Sequence, residues 1–132
     1  MPNSPSDSSN QKHCDILRYI YQDFDRLAET AAEGIILHTA DREFVPDGVR
    51  SGLTNVIEHE RGLLAATEGT LVMDVRQVIA DDHFGAVIGV LRASKPAEVA
   101  MPFCGLWRFA DGQLVEHWEN AYAPVELAGM FG

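Results

Sequence analysis

The sequence predicts an α+β domain, a curved and mostly antiparallel sheet packed on three N-terminal helices around an internal pocket. Two observations carry this expectation. Apolar residues recur at helical spacing through the first half, and the second half holds four strand-like runs joined by short polar turns. Helices followed by successive antiparallel strands is an α+β order, and strands of this length must twist and curl over the helices to bury one face. Such a sheet leaves a cone-shaped hollow.

The elements follow in chain order. Residues 1–10 (MPNSPSDSSN) carry no apolar side chain after Met1, so they read as a flexible leader, with a single domain over 11–132. From Gln11, the residues Ile16, Leu17, Ile20, Phe24, Leu27 and Ala28 fall at helical spacing, with a break near Asp23 that allows two helices and a stop at Gly34. Ile35 to Thr39 is short, apolar and β-rich, which predicts a strand. The following loop is punctuated by Pro46, Gly48 and Gly52.

A third helix is predicted over Leu53 to Thr67, closed by Gly69. Its core-facing stripe takes Val56, Leu63, Leu64 and Thr67 together with either His59 or Glu60, because neighbours on a helix diverge by about 100 degrees; the competing reading puts both on the surface. The four strands are Thr70 to Ala80, Phe84 to Ser94, Ala100 to Ala110 and Gln113 to Tyr122, joined by DDH, KPAE and DG turns. The tail APVELAGMFG is apolar enough to pack over the cavity mouth or on a second subunit.

Composition limits the partners. With 132 residues, 46% hydrophobic and 23% charged, the chain has the balance of one globular domain. A formal charge of −10 repels a phosphate backbone and an anionic lipid surface, so neither nucleic acid nor membrane is expected. No apolar run reaches bilayer length and the first residues lack the order of a signal peptide, which points to the cytoplasm. Cys14 and Cys104 read as two reduced thiols.

The closing run FADGQLVEHWENAY resembles the DGKIVEHWD signature of SnoaL-like polyketide cyclases, members of the nuclear transport factor 2-like superfamily related to ketosteroid isomerase. The segment ILHTADREFVPDGVRSG resembles the first strand, loop and helix start of the same family. The resemblance implies the cone-shaped fold but names no single reaction, since the family hosts cyclases, isomerases, dehydratases, hydrolases and binders. Laid on ketosteroid isomerase, IILH puts His38 where that enzyme has its base, and FCGLWRF puts Gly105 where it has an oxyanion-hole acid. Glu119 takes the place of the signature's aspartate, which implies an acid/base role.

Strand alternation sends Val115, His117, Glu119 and Ala121 to one face and Leu114, Glu116, Trp118 and Asn120 to the other, and the family comparison turns the first set inward. His117 and Glu119 then stand roughly 6–7 Å apart along the strand, close enough to face one ligand. Glu119, His38 and His117 are the candidate catalytic groups; the competing reading is a hydrogen-bonded pair that orders the strand, with His38 a satisfied core histidine. Phe103, Trp107 and Phe109 share a strand face and would form an aromatic wall; the family resemblance implies a pocket tyrosine near Tyr19, and His59 and Arg50 are further candidates for substrate binding. His38, His59, His117 and Glu119 form no HxH or HExxH unit, so no metal and no cofactor is expected.

The expected function is small-molecule binding with cofactor-independent acid/base chemistry on an apolar or polycyclic carbonyl compound. The alternative is a non-catalytic ligand-binding or regulatory module, favoured by the missing acid at Gly105. A partner-binding role through the outer sheet face would leave the inward polar residues unexplained. The same outer face, with Trp118, predicts a homodimer.

Overall fold

The computed structural model describes residues 5–123, with side chains from Asn10 onward. Helix α1 spans Pro5–Gln22, a 3₁₀ turn Phe24–Arg26, and the short helix α2 Leu27–Thr30. Strands β1 (Ala31–His38) and β2 (Val49–Ser51) precede helix α3 (Leu53–Ala66), and β3 (Val72–Ala80), β4 (Phe84–Ala93), β5 (Val99–Ala110) and β6 (Gln113–Ala121) complete the sheet. The helical start at Pro5 lies ahead of the expected start at Gln11, so the helix takes in part of the expected leader. Residues 1–4 and 124–132, which include nearly all of the apolar tail, lie outside the described residues.

Local chemistry explains the boundaries. The Asp23 side chain accepts from the Asp25 N–H and caps the 3₁₀ turn, breaking the first helix where the pattern breaks. Glu68 and Gly69 take positive φ beyond α3, and Asp111 and Gly112 take positive φ in the two-residue β5–β6 turn, the conformation that tight hairpins need.

The strand order is β2-β1-β6-β5-β4-β3, antiparallel throughout except for β1 beside β6. The last strand is therefore central, and its inward residues lie deep in the molecule. Helix α1 lies over β3 and β4 and α3 lies over β1. Leu17, Ile20, Ile35, Leu37, Val56, Val87 and Trp107 are fully buried between the layers. No helix among the described residues is long and apolar enough to cross a membrane.

One alternation is overturned. The β5–β6 register slips between Arg108↔Glu116 and Phe109↔Leu114, a bulge that gives β6 an extra residue. Leu114, expected outside with Trp118, is consequently in the core with no exposed surface.

Candidate functional site

The concave side of the sheet, α1 and α3 enclose a cavity of about 80 Å³, room for several waters or a compact ligand at roughly 10–15 Å³ per water. Leu63, Leu71, Met73, Leu91, Phe103 and Ala121 make most of its wall apolar. The polar groups gather at one end: Tyr21 from α1, His59 and Glu60 from α3, His117 and Glu119 from β6. Pairing of Gly105 with Glu119 and of Trp107 with His117 sets the depth of the two β6 side chains.

Glu119 is the hub. Its Oε1 lies 3.0 Å from His59 Nε2 and accepts from the Ala40 N–H at 3.2 Å. Burial acts to raise the Glu119 carboxyl, but the His59 hydrogen bond, the neighbouring imidazoles and the Ala40 amide outweigh it and hold it below the usual range. Glu60 shows the opposite behaviour: burial, then the charge of Glu119 beside it, pushes its carboxyl well above the usual range. Two adjacent carboxyls are thus split in proton affinity, Glu60 holding its proton more tightly and Glu119 less tightly than an ordinary carboxyl.

His117 and Tyr21 complete the polar end. The His117 ring stacks on Trp107 with centroids 3.5 Å apart, and its Nδ1 lies 3.0 Å from the Leu106 carbonyl. Burial pushes its pKa down to about 4, so the ring is neutral at pH 7, with the proton on Nδ1 and a lone pair on Nε2. Trp107 Nε1 donates to the Tyr21 hydroxyl at 3.1 Å, which leaves the tyrosine's own proton to be given elsewhere. Burial raises the Tyr21 pKa, keeping the phenol protonated.

The loop between β1 and β2 closes the mouth. Arg42 donates from Nη1 to the Thr39 carbonyl at 3.1 Å and the Glu119 carbonyl at 2.6 Å, and from Nη2 to Asn120 Oδ1 at 2.9 Å. These bonds tie the loop to β6 and bring the Ala40 N–H to the Glu119 carboxylate. Nothing in the sequence singles out Arg42, because a loop arginine signals nothing until its partners are known.

Among the expected site residues, Glu119, His117, His59 and Phe103 meet at the cavity, and His59 and Glu60 both line it. The helix presents them to either side of the same hollow, so the expectation that only one faces inward is corrected. Trp107 stands behind the wall and holds Tyr21 and His117 in place.

The remaining candidates lie elsewhere. His38 is on the outer face of the sheet, beside Trp118 in the β1–β6 register; its ring stacks on that indole at 5.2 Å and its Nε2 lies 2.6 Å from Glu116 Oε2. The inward residue of that strand is Leu37, one position away. Tyr19 is 38% exposed with its hydroxyl on Glu29, because two residues along a helix turn through about 200 degrees; Tyr21 takes the pocket position. Phe109 stacks on His13 at 3.8 Å, under α1 and away from the cavity. Arg50 sits on edge strand β2, 4.0 Å from Asp47, and does not line the cavity.

The dispersed set His38, His59, His117 and Glu119 does not converge, since His38 is outside. A different set does: one donor atom each from His59, Glu60 and Glu119 lie within 4.8 Å of one another. Two carboxyls and one imidazole are a donor set a cation could use.

The family model for the SnoaL-like domain matches residues 12–117. The chain belongs to the SnoaL-like domain family. No protein of curated function matches this SnoaL-like domain in sequence. Its fold recurs in Bal32a from a soil-derived mobile gene cassette, with a TM-score of 0.82 and 18% identity over 94% of this chain and 99% of that one. A SnoaL-like, polyketide-cyclase-type protein of Jannaschia sp. CCS1 matches with a TM-score of 0.78 and 15% identity over 100% and 98% of the two chains. A nuclear transport factor 2-like protein of unknown function from Cytophaga hutchinsonii matches with a TM-score of 0.67 and 17% identity over 85% and 97%. The fold is therefore the α+β cone of the nuclear transport factor 2-like proteins, and the small-molecule-binding character of the SnoaL-like fold agrees with the enclosed hollow.

Proposed function

We propose that this SnoaL-like domain is a cofactor-independent acid/base enzyme acting on a compact, largely apolar, carbonyl-containing ligand. The observation that carries the reading is the pair Glu119 and Glu60, two adjacent carboxyls pushed in opposite directions in proton affinity at the buried end of an apolar cavity. The Glu119 carboxylate takes a proton from carbon next to the carbonyl, the Tyr21 hydroxyl donates a hydrogen bond to the oxygen as charge develops there, and the neutral Glu60 returns a proton. His59 orients Glu119, and His117 offers the lone pair of Nε2 to the bound ligand. A cavity of this size favours a compact ligand over a polycyclic one.

The non-catalytic alternative draws on the absence of an acid at Gly105. That absence weighs less once the Tyr21 hydroxyl is seen against Gly105, because the donor comes from the helix instead of the strand. The outer sheet face around Trp118 remains the proposed homodimer contact, to be checked by mass measurement in solution.

The direct test follows α-proton exchange of a panel of small ketones in D₂O by NMR. Wild-type protein should accelerate exchange for at least one of them and Glu119→Gln should lose about 10²-fold or more of that rate while keeping its fold. Exchange that is equally fast in Glu119→Gln would overturn the acid/base reading in favour of the binding module.

A further inference from the structure

The charge inside the cavity exceeds what proton transfer requires. Asp41, Glu60 and Glu119 line it, and no lysine or arginine does. Asp41 accepts the Thr39 hydroxyl at 2.7 Å, and Glu119 is held by His59 and Ala40. Glu60 Oε1 is different: the residue is only 7% exposed, and this oxygen is buried with no hydrogen-bond partner. A buried acceptor without a donor is costly, and such atoms are uncommon unless something else fills the place.

The missing donor can be narrowed by charge. An anionic ligand would be repelled by the carboxyls. A hydroxyl would satisfy Glu60 Oε1 but bring no charge to offset that of the Glu119 carboxylate beside it. A cation satisfies the oxygen and offsets that charge together, and the rings of Tyr21, Phe24 and Phe103 in the wall suit a positive charge. A hydrated metal ion fits less well. His59, Glu60 and Glu119 offer a metal three donor atoms within 4.8 Å, but most of the wall that the ligand must also cover is apolar, which favours an organic cation.

We propose that the ligand of this cavity is an apolar organic ammonium compound, its charged nitrogen donating to Glu60 Oε1 and its hydrocarbon body lying along Leu63, Leu91 and Phe103. The inference rests on reading the cavity as the ligand site. It places the nitrogen at Glu60, so that Glu119 faces the neighbouring carbon and Tyr21 the oxygen of the same molecule.

The experiment is calorimetric titration of the full chain with three probes of matched shape: phenethylamine, phenethyl alcohol and phenylacetate. The amine should bind about tenfold more tightly than the alcohol, and phenylacetate should not bind measurably. Glu60→Gln should erase the preference while still binding the alcohol, which shows the variant is folded. Phenylacetate binding as tightly as the amine, an amine preference that survives in Glu60→Gln, or no binding of any probe would overturn the proposal. A parallel titration with Zn²⁺ and Mn²⁺ separates the two kinds of cation: tight metal binding lost in Glu60→Gln, with no preference for the amine, would overturn it in favour of an inorganic ion. Loss of the amine preference with Glu119-dependent exchange intact removes this inference alone, and the reverse outcome removes the catalytic reading alone.

Discussion

The Tyr21 hydroxyl occupies the space that a side chain at position 105 would fill: a Cβ on Gly105 would overlap it and come within 3.1 Å of Trp107 Nε1. The glycine is thus a docking place for the one phenol that faces the cavity. Gly105→Ala should force Tyr21 aside and cost about 1–3 kcal/mol, the usual range for overpacking a core. Adding Tyr21→Phe, which removes the clashing oxygen, should recover part of that loss. Denaturant unfolding of the four proteins checks the coupling, and strictly additive losses would contradict it.

Tyr21→Phe on its own leaves the Trp107 indole N–H buried without its acceptor. Removing one partner of a buried hydrogen bond costs about 1–3 kcal/mol. Tyr19→Phe, on the exposed face of the same helix, should stay within about 0.5 kcal/mol of wild type. The pair of midpoints separates the tyrosine that builds the site from the one that does not.

The neutral His117 makes stability depend on pH. Its folded pKa of about 4 lies below the ordinary 6.5. Between those values the unfolded chain takes up a proton that the folded chain refuses, so stability falls as pH drops through this window, by about 3 kcal/mol in all. Replacing His117 by Gln should flatten the curve between pH 6.5 and 4 relative to wild type.

Glu60 acts in the opposite sense. Its folded pKa is raised well above 4.5, so above pH 4.5 the unfolded chain releases a proton that the folded chain keeps, and stability declines as pH rises toward the folded value. Glu60→Gln removes that penalty and should stabilise the protein at pH 7, seen as a higher melting temperature. A destabilised variant would mean that the hydrogen bond between Glu60 and Glu119 outweighs the burial penalty.

Arg42 holds the loop that brings the Ala40 N–H to Glu119. Arg42→Ala should release that amide and raise the Glu119 pKa, measurable by carboxyl carbon NMR titration. Arg42→Lys should recover only part of the effect, since one ammonium cannot reach both Glu119 O and Asn120 Oδ1 in the forked geometry of a guanidinium. An unchanged Glu119 titration in Arg42→Ala would separate the loop from the carboxylate.

Most of the fold is legible in the chain because its signals are local. Apolar spacing in the first helices, the Asp111–Gly112 turn and the alternation from His117 to Ala121 each depend on neighbours within a few residues. The errors fall where a distant partner intervenes. Leu114 turns inward because β5 imposes a bulge, and His38 faces outward because β1 docks beside β6 with Leu37 on the inner side. Tyr19 and Tyr21 are equivalent to a reader of composition, and only the direction in which α1 meets the sheet distinguishes them.

The sequence by itself determined the α+β order, the inward pair His117 and Glu119, and the family, all of which follow from periodicity, turn chemistry and a short motif. Tertiary structure alone decided that Glu60 joins Glu119 and His59, that Tyr21 rests against Gly105, and that Arg42 fastens the loop over them. Those relationships rest on hydrogen bonds between residues 60 to 86 positions apart in the chain, brought to one buried point, where loss of water strengthens the effect of a neighbouring charge or hydrogen bond on a carboxyl's proton affinity.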